Sequence, residues 1–217
     1  MNKTISIEQA IEKIKDGMTV MIGGFMGVGT PEIFIDAILE KGIGDLTIIC
    51  NDTGFPDRGV GRLVVEKRVK KVIASHIGTN PETGKQMNSG ELEVELIPQG
   101  TLAERIRCGG FGLGGILTQT GIGTLVEVDK QKIEINGTDY LLEVPLRADI
   151  ALIRGSIVDE SGNIFYNEST RNFNPLMAMA ADTVIVGAEK IVDIGEIDPN
   201  MVMTPGLTVD YIVGGEK

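Results

Sequence analysis

Aromatic side chains are scarce in this chain: Phe, Tyr and Trp make up 4% of its residues, and there is no tryptophan. The interior must therefore be built from aliphatic side chains, and a hydrophobic fraction of 42% over 217 residues is ample for one or two domains. Cationic charge is also short. Lys and Arg number 20 against 31 Asp and Glu, a net charge of −11, which excludes broad attraction to nucleic acid or to an anionic membrane. Only local donors could hold an anionic ligand. The two cysteines, Cys50 and Cys108, lie far apart without Cys-x-x-Cys spacing, so they are read as reduced small hydrophobes, with neither a disulfide framework nor a metal site. A single histidine, His76, has no second imidazole behind it, and at the end of a strand it is expected to be structural. No apolar run approaches the ~20 residues of a membrane span. The opening MNKTISIEQAIEKIKDG is charged and helical from the start, so no signal peptide and a cytoplasmic location are expected.

Glycine, by contrast, is abundant at 29 residues. Ser6 and Gln9 form a capping box for a short amphipathic helix that Gly17 stops. Met18 to Ile22 is an unbroken apolar run, as expected of a strand buried on both faces, and it leads directly into GGFMGVG. Thr30 and Pro31 read as the cap and first residue of the next helix, which Gly42 ends. Further strands at Leu46 to Cys50 and Val69 to His76, separated by a helix around Val60 to Lys67, indicate βαβ units. NPETGKQMNSG reads as a polar loop and ELEVELIP as a strand. Thr101 and Glu104 read as the capping box of a helix, TLAERIR. Asn136-Gly137 between alternating runs is a strong hairpin signal. ADIALIR and TVIVG are buried strands flanking a Met/Ala helix, and the C-terminal part reads mainly as loop. No internal repeat at a fixed period is found. The fold class is therefore α/β: a mostly parallel open sheet with flanking helices, one domain over residues 1–217, and a small antiparallel hairpin flap around 109–146.

The glycine loop fails the usual nucleotide patterns. Gly23, Gly24, Gly27 and Gly29 give G-G-x-x-G-x-G rather than G-x-G-x-x-G, and Thr30-Pro31 stands where a phosphate-binding loop has Lys-Ser. Two readings stay open on the residues alone: a strand-to-helix turn whose backbone N–H groups meet a small negative charge, and a tight turn and nothing more.

Taken whole, DGMTVMIGGFMGVGTP resembles the signature of the α subunit of 3-oxoacid CoA-transferases. NDTGFPDRGVG, KVIASHIGTNPETGKQMNSGELEVELIPQGTLAERIRCGG, TQTGIGT, LRADIALIRG and RNFNPLMAMAAD resemble further blocks of that subunit, so the likeness covers nearly the whole chain. The pattern is nearest to bacterial acetate/butyrate–acetoacetate CoA-transferase α subunits. The resemblance implies a ping-pong transfer of CoA between an acyl-CoA and a carboxylic acid, through a glutamate that carries first an acyl anhydride and then a CoA thioester. It implies a cytoplasmic assembly, α2β2, with a β subunit that supplies that glutamate in a Ser-Glu-Asn-Gly type motif. No such tetrapeptide occurs here, so no catalytic residue is assigned. Glu91, Glu143 and Glu168 are the acids nearest in setting, and each is expected to be a solvated surface residue. Coenzyme A enters as substrate, with no permanently bound cofactor.

Carried over by position, the CoA-contact segment is Gly23, Gly24, Phe25, Met26, Gly27, Val28 and Gly29. Gln99 is implied to line the acyl pocket, against the alternative that an amide before a helix serves loop backbone. Asn51, at the C-terminal end of a parallel strand, is a second candidate for substrate contact. Arg105 and Arg107 are expected on a solvated helix face and Lys67 to Lys71 on a solvated edge, with contact to the partner or to CoA phosphates as the alternative. Two other functions stay open: a non-catalytic acyl-CoA binding protein, and an isomerase of sugar phosphates on a related fold.

Overall fold

A computed structural model describes residues 3–216. The chain runs α1 (Ile7–Ile11), β1 (Thr19–Ile22), α2 (Glu32–Lys41), β2 (Leu46–Ile49), α3 (Val60–Val65), β3 (Val69–Ala74), α4 (Pro81–Ser89), β4 (Glu93–Leu96) and α5 (Gln99–Gly110). It continues with three short strands, β5 (Ile116–Thr118), β6 (Lys132–Ile135) and β7 (Thr138–Glu143). Then follow β8 (Ala148–Asp159), β9 (Ile164–Phe165), α6 (Asn174–Met177), β10 (Ala181–Val192) and β11 (Tyr211–Glu216).

The main sheet has the order β11-β10-β8-β1-β2-β3-β4, with every neighbouring pair parallel and only β9 antiparallel, against β8. The class is α/β, as expected. The alternation of a pleated strand sorts the core into two layers. Val20 and Ile22 of β1 pack with Phe34, Ile35, Ile38 and Leu63 from α2 and α3, while Met21 faces Leu102 and Ile106 of α5 and Met177 of α6. A strand buried on both sides needs apolar residues at every position, which is why Met18 to Ile22 could be read so directly.

Several elements differ from the expectation for identifiable reasons. NPETGKQMNSG is helix α4, not loop: the Asn80 side chain accepts from the Glu82 N–H, Pro81 takes the first turn, and Gly90 closes it in the left-handed conformation. Its inner face is polar, with Thr83 and Gln86 buried and the Gln86 amide donating to the Val64 carbonyl at 2.8 Å. No apolar period therefore marks it. Helix α5 begins at Gln99 rather than after Thr101, with no side-chain cap. Helix α2 begins at Glu32, and Thr30 makes no cap bond to it, because its hydroxyl lies against Gly24. The Met/Ala helix is a single turn, and the supposed C-terminal loop contains β11, which pairs with β10 at the sheet edge.

The flap is a three-stranded antiparallel sheet in the order β5-β7-β6, turned at Asn136-Gly137 with both residues at positive φ, as a two-residue hairpin of type I′ requires. Arg105 docks it. Expected on a solvated face, this residue is buried; its guanidinium donates to the Val144 carbonyl at 2.7 Å, pairs with Glu95 at 3.2 Å and lies 3.8 Å from Glu143. Glu143 is itself buried and also bonded to Lys130.

Because Glu143 answers two cations in a low-dielectric setting, its removal leaves charge without a partner. Glu143→Ala is expected to cost about 1–3 kcal/mol in urea unfolding and to speed amide hydrogen exchange across β5, β6 and β7. Unchanged exchange there would show that the flap is held by packing alone.

Candidate functional site

Strands β1, β2, β3 and β4 step outward in one direction, after which the chain returns to lay β8 on the other side of β1. The order reverses between β1 and β8, and in open α/β sheets the crevice beyond the carboxyl ends of such strands is where ligands bind. The glycine loop leaves β1 at this point, with the Gly23 N–H bonded to the Leu152 carbonyl of β8.

The loop is a closed turn. Phe25 and Val28 exchange both backbone bonds, at 3.0 and 2.9 Å, and the two residues between them, Met26 and Gly27, have φ of 52° and 84°. Positive φ at both central positions is again the type I′ geometry, which fits glycine and strains methionine. Phe25 and Val28 expose 41% and 48% of their surface, so the turn presents an apolar outer face. The N–H groups of Gly24, Gly27 and Gly29 have no acceptor among the described residues.

What the missing side chains make room for is chiefly the protein itself. A Cβ on Gly23 would lie 1.8 Å from Oδ1 of Asn174, and one on Gly24 would lie 2.2 Å from the Thr30 hydroxyl. Asn174 is fully buried; its Nδ2 donates to the carbonyls of Gly29 and Thr170, and its Oδ1 accepts from the Arg154 N–H. Asn172 donates to the Val28 carbonyl at 3.0 Å. Gly27 alone of the four is bordered only by a flexible neighbour, Cδ of Arg58 at 3.3 Å from a Cβ.

A second turn follows the next strand, similar in sequence but not of type I′, since its central residues Pro56 and Asp57 lack positive φ. Gly54-Phe55-x-x-x-Gly59 repeats Gly24-Phe25-x-x-x-Gly29, and Phe55 bridges Arg58 as Phe25 bridges Val28. This single recurrence is a local likeness of two strand-end turns, not a repeat at a fixed period. Asp52 joins the two turns. One carboxylate oxygen accepts from the Met26 N–H at 2.9 Å and from Asn51 Nδ2 at 2.6 Å; the other accepts from the Gly54 N–H at 2.8 Å. Between the turns lies a cavity of about 10 Å³, space for one water, bordered by Met26, Cys50, Asp52 and Arg58. A substrate must therefore lie outside it. Cys50 is no nucleophile, since burial, with the nearby Asp52 charge, pushes its thiol far above the usual range.

Gln99 and Asn51 are brought together directly. The Gln99 Nε2 donates to Asn51 Oδ1 at 2.9 Å, and Ser75 Oγ donates to the same oxygen at 3.1 Å. Asn51 is buried, whereas Gln99, in the first turn of α5, is exposed. Beside it, between α5 and β5, opens a groove of about 520 Å³ bordered by Gly100, Thr101, Arg107, Ile116, Leu117 and Thr118. That volume suits a short acyl group or a slender chain. Arg107 pairs with Glu104 at 2.7 Å and lies over the Phe111 ring.

The remaining candidates are occupied elsewhere. Lys67 pairs with Glu91 at 2.5 Å, a hydrogen bond that holds the Glu91 carboxyl below its usual range; Lys71 pairs with Glu93 and Glu95. The basic run thus braces the edge strand β4. Glu143 was expected at the surface and is buried in ion pairs, while Glu168 is exposed at the start of a short 3-10 turn. The backbone of His76 bridges Asp52 and its carbonyl accepts from the Thr53 N–H.

A coenzyme A transferase family model matches residues 4–215. The chain is 58% identical over 212 residues to an acetoacetyl-CoA:acetate/butyrate CoA transferase alpha subunit of Clostridium acetobutylicum, covering 98% of this chain and 97% of that one. It is 56% identical over 215 residues to an acetate CoA-transferase subunit alpha of Escherichia coli, covering 99% and 98%. Among solved structures it resembles an acyl-CoA transferase, YdiF, of Escherichia coli O157:H7, with a TM-score of 0.87 and 25% identity over 97% of this chain; it spans 46% of the length of that chain.

The contacts separate the glycines by consequence. Gly23→Ala drives a methyl group into buried Asn174, an overpacking expected to cost about 3 kcal/mol, or roughly 6–12 °C in melting temperature for a chain of this size. Gly27→Ala meets only a movable arginine and is expected to cost about 1–2 kcal/mol, from its backbone angle. Thermal melts of the two variants check the order; the reverse order would mean that Asn174 does not fix the loop.

Proposed function

The chain belongs to the coenzyme A transferase family, and on that footing we propose that it is the α subunit of a heteromeric enzyme that moves CoA between acetoacetyl-CoA or another short-chain acyl-CoA and an acid such as acetate or butyrate. Its partner is a β subunit carrying the nucleophilic glutamate, in a cytoplasmic α2β2 assembly. The observation that carries the two-chain reading is the state of this chain's own acids: Glu91 and Glu143 are spent in ion pairs and Glu168 stands exposed on a short 3-10 turn, while an anchored amide, Gln99, immediately precedes Gly100 and Thr101 at the border of an open groove.

In this reading the partner's carboxylate attacks the thioester carbonyl, the C–S bond breaks, and CoA leaves as a thiolate. The thiolate then attacks the glutamyl carbonyl of the resulting anhydride and releases the first acid, leaving a glutamyl-CoA thioester. An incoming acid reverses the sequence. Each attack puts negative charge on a carbonyl oxygen, and one well-placed donor to that oxygen is worth about 2.7–4 kcal/mol of barrier. Gln99 is the side-chain donor this chain offers, with Asn51 as the buried group that holds it. The unpaired N–H groups of the Gly23 to Gly29 turn are further donors, and the exposed face of Phe25 and Val28 is a surface for the pantetheine arm. The groove beside α5 accommodates a short acyl chain.

Purified alone, the chain is expected to show no CoA transfer between acetoacetyl-CoA and acetate, and to gain it on mixing with its β partner; turnover by the chain alone would sink the two-subunit reading. Incubation of the reconstituted complex with acetoacetyl-CoA, followed by borohydride, is expected to reduce one glutamyl thioester to an alcohol. Peptide mass mapping should place that change on the partner and leave Glu91, Glu143 and Glu168 intact.

A further inference from the structure

An amide side chain has two ends of opposite polarity, and which end faces a ligand is set by its other partners. Asp52 is buried and, as a carboxylate, only accepts hydrogen bonds. Asn51 must therefore turn Nδ2 toward it, and the 2.6 Å contact has that sense. This leaves Asn51 Oδ1 facing Ser75 and Gln99. Gln99 must then present its amino end to Asn51, so one N–H is committed and the second stays on the same side of the amide. The same carboxylate oxygen that orients Asn51 also takes the Met26 N–H at the tip of the glycine turn, and its neighbour takes the Gly54 N–H of the second turn. One buried charge thus sets the direction of two amides and their register with both turns.

We propose that Asp52 is a positioning residue for CoA transfer: through Asn51 it fixes the Gln99 amide with an N–H toward the acyl oxygen, and through Met26 it holds the glycine turn in register with that amide. This rests on the reading of Gln99 given above. Asp52 need not touch the substrate. A cluster that served folding alone would stabilise the turns without regard to the direction of an exposed amide.

The test uses the reconstituted two-subunit enzyme with acetoacetyl-CoA and acetate. Asp52→Ala is expected to lower kcat about 100-fold, the scale of a misplaced catalytic group, with KM for acetate changed by about threefold or less. Asp52→Asn, whose single carbonyl oxygen can still accept from Asn51, is expected to recover at least about tenfold of that loss. In a Gln99→Ala background the further effect of Asp52→Ala is expected to shrink to about tenfold or less, the part that acts through Met26 and the glycine turn, since groups acting through one another are not additive. Full multiplication in that background, or an unchanged kcat in Asp52→Ala, would overturn the proposal. Should Asp52→Ala not assemble, Gln99→Glu decides: an acceptor-only side chain facing Asn51 Oδ1 is expected to be about tenfold worse in kcat than Gln99→Ala, and equal or better activity would overturn the assigned direction. An inactive parent complex would instead defeat the functional reading itself, so the two failures are distinguishable.

Discussion

The carboxamide of Asn174 is the contact on which the glycine turn depends. It is wholly buried, takes the Arg154 N–H of β8, and gives its own two N–H bonds to the Gly29 and Thr170 carbonyls. A buried amide left unpaired is expensive, so these groups are fixed together. Gly23 can only be glycine because Oδ1 of Asn174 occupies the space of its side chain. The result is a turn pinned at its base to β8 and α6 and at its tip, through Met26, to Asp52. Donors on such a turn need little reorganisation when charge develops nearby, which is the condition under which fixed dipoles lower a barrier.

Much of this was visible in the sequence as a pattern and invisible as a cause. The concentration of glycine after an apolar run marked the turn at the end of β1, and the position of Asn51 at a strand end put a polar residue near it. The reason for Gly23 lies in Asn174, far along the chain, and no local pattern points there. Gln99 and Asn51 were nominated separately; that they are bonded to each other, and through Asn51 to Asp52, emerges only when β2 and α5 are set side by side. Asp52 itself was passed over, because a lone acid after a strand usually faces water, whereas this one collects three donors.

The fold was legible where buried apolar runs were long; β11, with Ile212 and Val213 buried just before its glycines, was missed. Strands β1, β2, β3, β8 and β10 lie between two hydrophobic layers and carry aliphatic runs through their buried stretches. Helix α4 escaped because its inner face is Thr83 and Gln86, although its asparagine cap, first-turn proline and closing glycine were all present. Arg105 was read as solvated because arginine usually is; its stem and guanidinium instead fill the joint between α5 and the flap, with Val144, Glu95 and Glu143 as partners. Weight on caps equal to that given to period would have found α4, whereas Arg105 required the tertiary structure.

In the two-chain enzyme proposed above, the chemistry would divide between the subunits for a physical reason. A nucleophilic carboxylate must be free to attack, and a salt bridge that lowers its basicity also weakens it as a nucleophile. Glu91 is held below its usual range by Lys67, and Glu143 is enclosed by Lys130 and Arg105, where it braces the flap. Neither can serve stability and catalysis together. Gln99 is in the opposite condition: its inner N–H is tied to buried Asn51 and its outer side is open, so much of its rotational freedom is lost before any ligand arrives. A rigid donor with one exposed side, on the first turn of a helix and next to a groove, is what one half of a shared site must contribute. The reacting acid can then come from a surface that does not have to hold this chain together.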